Sequence, residues 1–149
     1  MLSFLSLNIN HHLSRAMLLG DMAEASQKIV TLEHVRHATF VAVLEYLYTD
    51  DVTMPTPLES VIELFVAADL FDIPRLRALC ERRLLEDITV ENAATVFLEA
   101  DVHSATALRE KALGYILLHF EAVSTTAAFE NMVRSRVELV FEILKSRAA

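Results

Sequence analysis

Glycine is nearly absent from this 149-residue sequence, with two copies, and proline is scarce, with three. Tight hairpins of sandwiches and barrels depend on glycine at positions with positive φ, so an all-β architecture is excluded. The two glycines, Gly20 and Gly114, are far apart. This spacing excludes the glycine-rich loops that cradle phosphates and the nucleophile elbow of hydrolases, together with the enzyme classes that use them.

Cysteine and positive charge are also in short supply. Cys80 is the single cysteine, so no internal disulfide can form and a reducing, intracellular location in the nucleus or cytoplasm is expected. The 13 Lys and Arg residues against 21 Asp and Glu residues leave a formal charge of -8, which argues against nucleic acid or an anionic membrane as partner. Residues 1–13 lack charge, yet they are too short for a membrane span of about 20 apolar residues and lack the positive start of a signal peptide.

What is present is a high hydrophobic content, 54%, arranged mainly at helical spacing. The fold class is therefore mainly α (α+β), with one clear strand at 28–32, where β-branched residues alternate. A first helix is predicted at 37–49, and Pro57 and Pro74 each begin another. The remaining predicted helices lie at 91–101, 105–119, 126–134 and 136–147. The two predicted apolar stripes are Phe40, Val43, Leu44, Leu47 and Tyr48 in the first helix and Val137, Val140, Phe141 and Leu144 in the last.

An internal echo relates two parts of the chain. Ala67-Ala68-Asp69 is followed by Leu76 and Cys80, and Glu99-Ala100-Asp101 is followed at the same distances by Leu108 and Ala112. The echo predicts two helical hairpins of one design, in which Asp69 and Asp101 end their helices by local hydrogen bonding. Paired carboxylates for acid–base chemistry are the weaker interpretation, because each aspartate holds the same place in its own hairpin.

The remaining reactive side chains also favour structural roles. His34 and His37 could share a helix face, but no cysteine or carboxylate cluster completes a metal site there. Cys80 lies on an apolar helical stripe and is expected to be a buried, inert thiol. A solvated face is predicted for four arginines, Arg75, Arg77, Arg82 and Arg83. Surface or half-buried structural roles are expected for His11, His12, His34, His37, His103 and His119. We therefore expect no catalytic residue, no metal, no cofactor and no enzyme.

The polar segment 20–26 carries the best candidate for binding another protein. Met22 is a large apolar residue where burial is not obvious, and Glu24 follows two residues later. Such an apolar side chain can fill a pocket on a partner while the charge fixes the register. The alternative is an ordinary loop methionine that packs onto its own domain.

Several longer stretches resemble a known family. The stretches SRAMLLGDMAEASQKIVTLEHV, FVAVLEYLYTDDV and ELFVAADLFDIPRLRALCERRLLEDITVENAA resemble the second half of a BTB/POZ domain. The following ENAATVFLEADVHSATALREKALGYILLHF resembles the 3-box helical pair that opens a BACK-type extension. VENAA and ADVHSA are most similar to the speckle-type POZ protein group. The resemblance implies an atypical segment at 1–13, a partial BTB/POZ domain at 14–86 and a 3-box/BACK-like helical extension at 87–149.

The same resemblance implies a function. Proteins of the speckle-type group are substrate adaptors of cullin-3 RING ubiquitin ligases, and their apolar-x-Glu loop is matched here by Met22-Ala23-Glu24. Residues 1–13 do not resemble the strands and helix that begin a full BTB domain, and no substrate-recognition domain is seen. We therefore expect an adaptor, or an adaptor fragment, that binds cullin-3 through Met22, Glu24 and the 3-box. The alternative is a BTB-type self-association or scaffolding module, whose partner is itself or another BTB protein.

Overall fold

The computed structural model describes residues 35–149, and within them the chain forms eight helices and no strand. The predicted strand at 28–32, the segment 1–13 and the Met22–Glu24 motif lie outside the described residues. The helices are α1 His37–Thr49, α2 Leu58–Leu70, α3 Pro74–Glu86, α4 Ala93–Val102, α5 Thr106–Leu118, α6 Phe120–Val123, α7 Ala127–Ser135 and α8 Val137–Ala148. The mainly helical fold class is thereby confirmed for the described part of the chain.

The helix boundaries follow local signals in the sequence. Pro74 is the first residue of α3, where its missing N–H costs no hydrogen bond, and Pro57 precedes α2. Thr126 caps α7 because its hydroxyl accepts a hydrogen bond from the Phe129 amide. The predicted helices agree with the observed ones to within about two residues, which is the usual uncertainty of a helix end. The short helix α6 was not predicted.

Three pairs of consecutive helices pack as hairpins and lie one against the next. Hairpin A is α2 with α3, hairpin B is α4 with α5, and hairpin C is α7 with α8, while α1 packs on α2. One continuous apolar core runs through all three hairpins. Its fully buried side chains include Leu64, Phe65, Leu76, Phe97, Leu108, Ile116, Met132 and Ile143. The echo predicted two hairpins; the structure adds a third, so the array reaches the three units that stacked repeats usually need.

Hairpins A and B turn through the same backbone motif. In hairpin A, Asp72 is left-handed (φ 52°), and the Ile73 amide donates to the Ala68 carbonyl at 2.8 Å. In hairpin B, Ser104 is left-handed (φ 55°), and the Ala105 amide donates to the Ala100 carbonyl at 2.9 Å. These are Schellman helix ends, in which orphan carbonyls find amide partners beyond the left-handed residue. Backbone hydrogen bonds thus satisfy carbonyl groups at the ends of both helices.

The predicted local role of Asp69 and Asp101 is therefore wrong. The carboxylate of Asp69 accepts hydrogen bonds from Arg77 and contacts the His103 ring, and that of Asp101 accepts from Arg109 and Arg136. These partners lie eight or more residues away. The backbone already satisfies the helix ends, so the carboxylates are free to bind arginines.

Candidate protein-interaction surfaces

The exposed face of α1 is the first apolar surface on the described residues. Val41 is 43% exposed and Tyr48 is 59% exposed, and they lie at the two ends of one helical stripe. The prediction that Tyr48 belongs to the buried stripe is wrong, because the buried tyrosine of α1 is Tyr46. Tyr48 lies about 200° of helical rotation beyond Tyr46, so the two rings leave the helix on nearly opposite sides. Burial and the carboxylate of Asp50 raise the pKa of Tyr46, which keeps its hydroxyl protonated.

Hairpin C carries the second and larger set of exposed apolar side chains, and we call this set the C-face. Its members are Val133, Val137, Phe141 and Leu144, which are 41%, 52%, 58% and 44% exposed. Of the apolar stripe predicted for the last helix, Val137, Phe141 and Leu144 are exposed and only Val140 is partly buried against the core, so the prediction is wrong for three of its four residues. Leu139 and Ile143 are the buried residues of α8, so this helix carries apolar residues on both its buried and its exposed sides. Exposed apolar patches of this kind mark sites of protein association more often than isolated exposed residues do.

Cys80, the single cysteine of the sequence, is buried in hairpin A. Cys80 has no solvent exposure, and burial raises the pKa of its thiol to about 12. A thiol in this state is protonated at neutral pH and is a poor nucleophile. The prediction of a buried cysteine is confirmed.

The arginines of α3 divide into exposed side chains and one half-buried side chain. Arg75 pairs with Asp50 and Arg83 with Asp87 at the surface, as expected for a solvated face. Arg77 does not fit that prediction, because its side chain is only 27% exposed and is held by Asp69. Its spacing from the repeated aspartate was the signal in the sequence that could have separated it from its neighbours.

The histidines and carboxylates do not converge on a metal centre. His37 and His119 lie at the surface, whereas His103 is half-buried between Asp69 and Glu99 and packs edge-on against Phe65. Within residues 35–149 no group of three or more His, Cys, Asp or Glu side chains could hold a metal ion. In the same part of the chain no helix is long and apolar enough to cross a membrane.

A shallow groove of about 290 Å³ between residues 51–54 and α3 has Val52, Met54 and Leu79 in its lining.

Comparison with curated proteins finds long relatives of this chain. In Mus musculus, TD and POZ domain-containing protein 4 is 31% identical over 135 residues, which are 91% of this chain and 36% of that protein. TD and POZ domain-containing protein 2 is 28% identical, covering 37% of that protein, and TD and POZ domain-containing protein 1-like is 27% identical with the same coverage. The chain thus spans little more than a third of the length of these relatives. They carry the TD and POZ description, whereas the sequence resemblance pointed to the speckle-type POZ group.

A family model supplies the broader classification. The BTB/POZ domain model matches residues 8–88, more than half of the chain. The match includes α1, hairpin A and the Met22–Glu24 motif, and it ends just before hairpin B. BTB/POZ domains are protein-interaction modules, which agrees with the exposed apolar surfaces of α1 and hairpin C. This chain belongs to the BTB/POZ domain family.

Proposed function

We propose that this chain is a substrate adaptor, or a fragment of one, for a cullin-3 RING ubiquitin ligase, and that it acts by binding rather than by catalysis. The observation that carries the proposal is the BTB/POZ match over residues 8–88, which contains the apolar-x-Glu motif Met22-Ala23-Glu24. The proposal includes a narrower kinship with the speckle-type POZ group. It also places the adaptor inside the cell, in the nucleus or cytoplasm.

The described helices support this proposal in two ways. Hairpin B follows the BTB/POZ match directly, at the place where a 3-box helical pair is expected. The α1 face adds Val41 and Tyr48, two large apolar side chains that are exposed on a helix downstream of the motif. An aromatic residue with an apolar body and a polar tip is typical of the centre of protein interfaces.

In the proposed complex, Met22 fills an apolar pocket on cullin-3 and Glu24 orients the segment through polar contacts. Truncating a buried anchor of this kind commonly costs about 2 kcal/mol of binding free energy, which is roughly a thirtyfold loss of affinity. A charge at position 22 is worse than truncation, because it would be buried without a partner. We therefore expect loss of these two side chains to weaken binding without unfolding the helical core.

The test is the affinity of the full chain for the amino-terminal domain of cullin-3, measured with the Met22→Asp, Glu24→Lys double variant. We expect a loss of at least thirtyfold, with an unchanged melting temperature. The matched control is Leu70→Asp, Glu86→Lys, which introduces the same two charged residues at exposed positions of hairpin A and should bind normally. Unchanged affinity of the folded double variant would refute the adaptor mechanism. A lowered melting temperature would instead place Met22 within its own domain.

Self-association without ubiquitin chemistry is the second candidate function, and the C-face favours it. Four large apolar side chains of hairpin C are exposed, and exposed apolar patches often mark sites of protein association. Copurification separates the two candidates. Recovery of copies of the chain without cullin-3 would favour the second, and recovery of cullin-3 the first.

A further inference from the structure

Hairpins A and B share a side-chain motif as well as a turn. Phe65, Asp69 and Arg77 in hairpin A recur 32 positions later as Phe97, Asp101 and Arg109 in hairpin B. In both hairpins the guanidinium lies over the phenylalanine ring, at 5.6 Å from the centroid for Arg77 and 5.1 Å for Arg109. In both, the same arginine pairs with the aspartate. We call each set of three side chains a clamp.

The clamp of hairpin A reaches across to hairpin B. Arg77 donates from Nη1 to Asp69 at 2.5 Å and from Nη2 to the backbone carbonyl of His103 at 2.6 Å. The His103 ring contacts the same carboxylate, and its Nδ1 lies 2.6 Å from Asp69 Oδ2. His103 is the C-cap residue that directly follows α4, so these contacts join the turn of hairpin B to hairpin A.

The clamp of hairpin B reaches in the same way to hairpin C. Arg109 donates from Nε to Asp101 at 2.7 Å and from Nη2 to Glu142 of α8 at 2.6 Å. Arg136, the residue between α7 and α8, donates to the other oxygen of Asp101 at 3.0 Å. Hydrogen bonds to Glu142 and Asp101 raise the pKa of Arg109, so the cation is present at any physiological pH.

Hairpin C breaks the pattern at the same positions. Another 32 positions along the chain, the phenylalanine is kept as Phe129, but the aspartate becomes Val133 and the arginine becomes Phe141. Both replacements are exposed and belong to the C-face. Within residues 35–149, hairpins A and B carry the polar clamp and each packs against a following hairpin. Hairpin C lacks the clamp, and no further hairpin follows it among these residues.

We infer that Arg77 and Arg109 are positioning residues that hold each hairpin against the next. As a result, hairpin A and the helices beyond residue 88 unfold cooperatively, as one unit. The physical reason is the fork of the guanidinium group, which can donate to two acceptors on different hairpins at once. Both side chains are about three-quarters shielded from solvent, so water competes weakly for these bonds. The inference goes beyond the proposed function and does not rest on cullin-3 binding.

Hydrogen exchange of the full chain tests the inference, with exchange followed separately in each hairpin. Arg77→Met should speed exchange at the amides of His103 and Ala105 in hairpin B by about tenfold or more, as expected for the loss of hydrogen bonds from a charged group. Arg109→Met should do the same for the amides of Arg136 and Leu139 in hairpin C. The matched controls are Arg75→Met and Arg134→Met, which remove exposed ion pairs and should leave both regions unchanged.

A conservative variant separates coupling from simple stabilisation of hairpin A. Arg77→Lys lacks the guanidinium fork, so we expect its ammonium group to keep the pair with Asp69 and to lose the bond to the His103 carbonyl. We therefore expect protection within residues 58–86 to be retained while exchange at His103 and Ala105 still rises. This variant also decides the question if Arg77→Met does not fold. Changes confined to residues 58–86, or an equal rise in the Arg75→Met control, would overturn the inference.

Discussion

At the scale of single residues, side chains with the same chemistry have different roles because their burial differs. Arg75 and Arg77 are two positions apart on α3, yet one forms an exposed ion pair and the other joins two hairpins. Exposed pairs contribute little to stability, whereas shielded and multiply bonded arginines contribute more. The sequence shows the spacing of these residues but not which of them the neighbouring hairpin covers.

Gly114 offers a test of local stability at this scale. It lies in the interior of α5 at the surface, and a Cβ added there would meet no atom within 4 Å. We expect Gly114→Ala to raise the free energy of unfolding by about 0.5–1 kcal/mol, because alanine loses less backbone entropy in a helix. The matched control is the opposite change, Ala78→Gly, at an exposed interior position of α3. It should lower the free energy of unfolding by a similar amount. Denaturant unfolding measures both, and a loss of stability in Gly114→Ala would contradict the expectation.

At the scale of helices and turns, hairpins A and B use non-glycine residues where glycine is usual. Asp72 and Ser104 both have positive φ, although helices commonly end with glycine at this position. Aspartate tolerates the left-handed region better than serine, because its side chain can bond locally. The scarcity of glycine in the sequence excluded β-hairpins but did not prevent left-handed turns between helices.

Replacing the left-handed serine tests this account of the turn. Ser104→Gly should raise the free energy of unfolding by about 0.5–1 kcal/mol, because glycine adopts positive φ without a steric cost. Ser60→Gly, within the right-handed helix α2, is the matched control and should lower stability by a few tenths of a kcal/mol. Thermal or chemical unfolding checks both variants. A destabilised Ser104→Gly protein would mean that the serine side chain, rather than the backbone angle, holds the turn.

At the scale of the whole molecule, the three hairpins of residues 35–149 share one core, and hairpin C leaves apolar side chains exposed. The core runs without interruption from residues inside the BTB/POZ match to Ile143 near the carboxyl end. Hairpin C covers hairpin B but leaves its own C-face in contact with water. Burying an apolar surface of this kind is favourable, at roughly 25 cal/mol for each Å² removed from water.

The C-face predicts concentration-dependent association of the chain. Phe141→Asp should shift the species seen in sedimentation toward the monomer, because a charge in place of the most exposed member of the C-face opposes its burial. Leu118→Asp is the matched control, since Leu118 is an exposed leucine of α5 outside the patch. Wild-type and control proteins should behave alike, whereas Phe141→Asp should differ from both. Equal association of all three proteins would show that the C-face takes no part in it.

Much of the architecture could be predicted from the sequence, because helices depend on local spacing. The periodicity, the two helix-starting prolines and the repeat placed seven of the eight described helices and the buried Cys80. The family resemblance also agrees with the BTB/POZ match. Met22 and Glu24 lie outside the described residues and stay a prediction, as do the strand at 28–32 and the 3-box.

Which face of a helix is buried was decided only by the tertiary structure. Both α1 and α8 carry apolar residues on more than one side, and the neighbouring helix selects Tyr46 over Tyr48 and Ile143 over Phe141. The roles of Asp69 and Asp101 were decided in the same way, by Arg77 and Arg109, which reach them once the two helices of each hairpin pack together. Local sequence determines that a helix forms, because its hydrogen bonds join residues four apart. Burial and ion pairing between hairpins depend on residues more than twenty positions away, and folding alone brings these together.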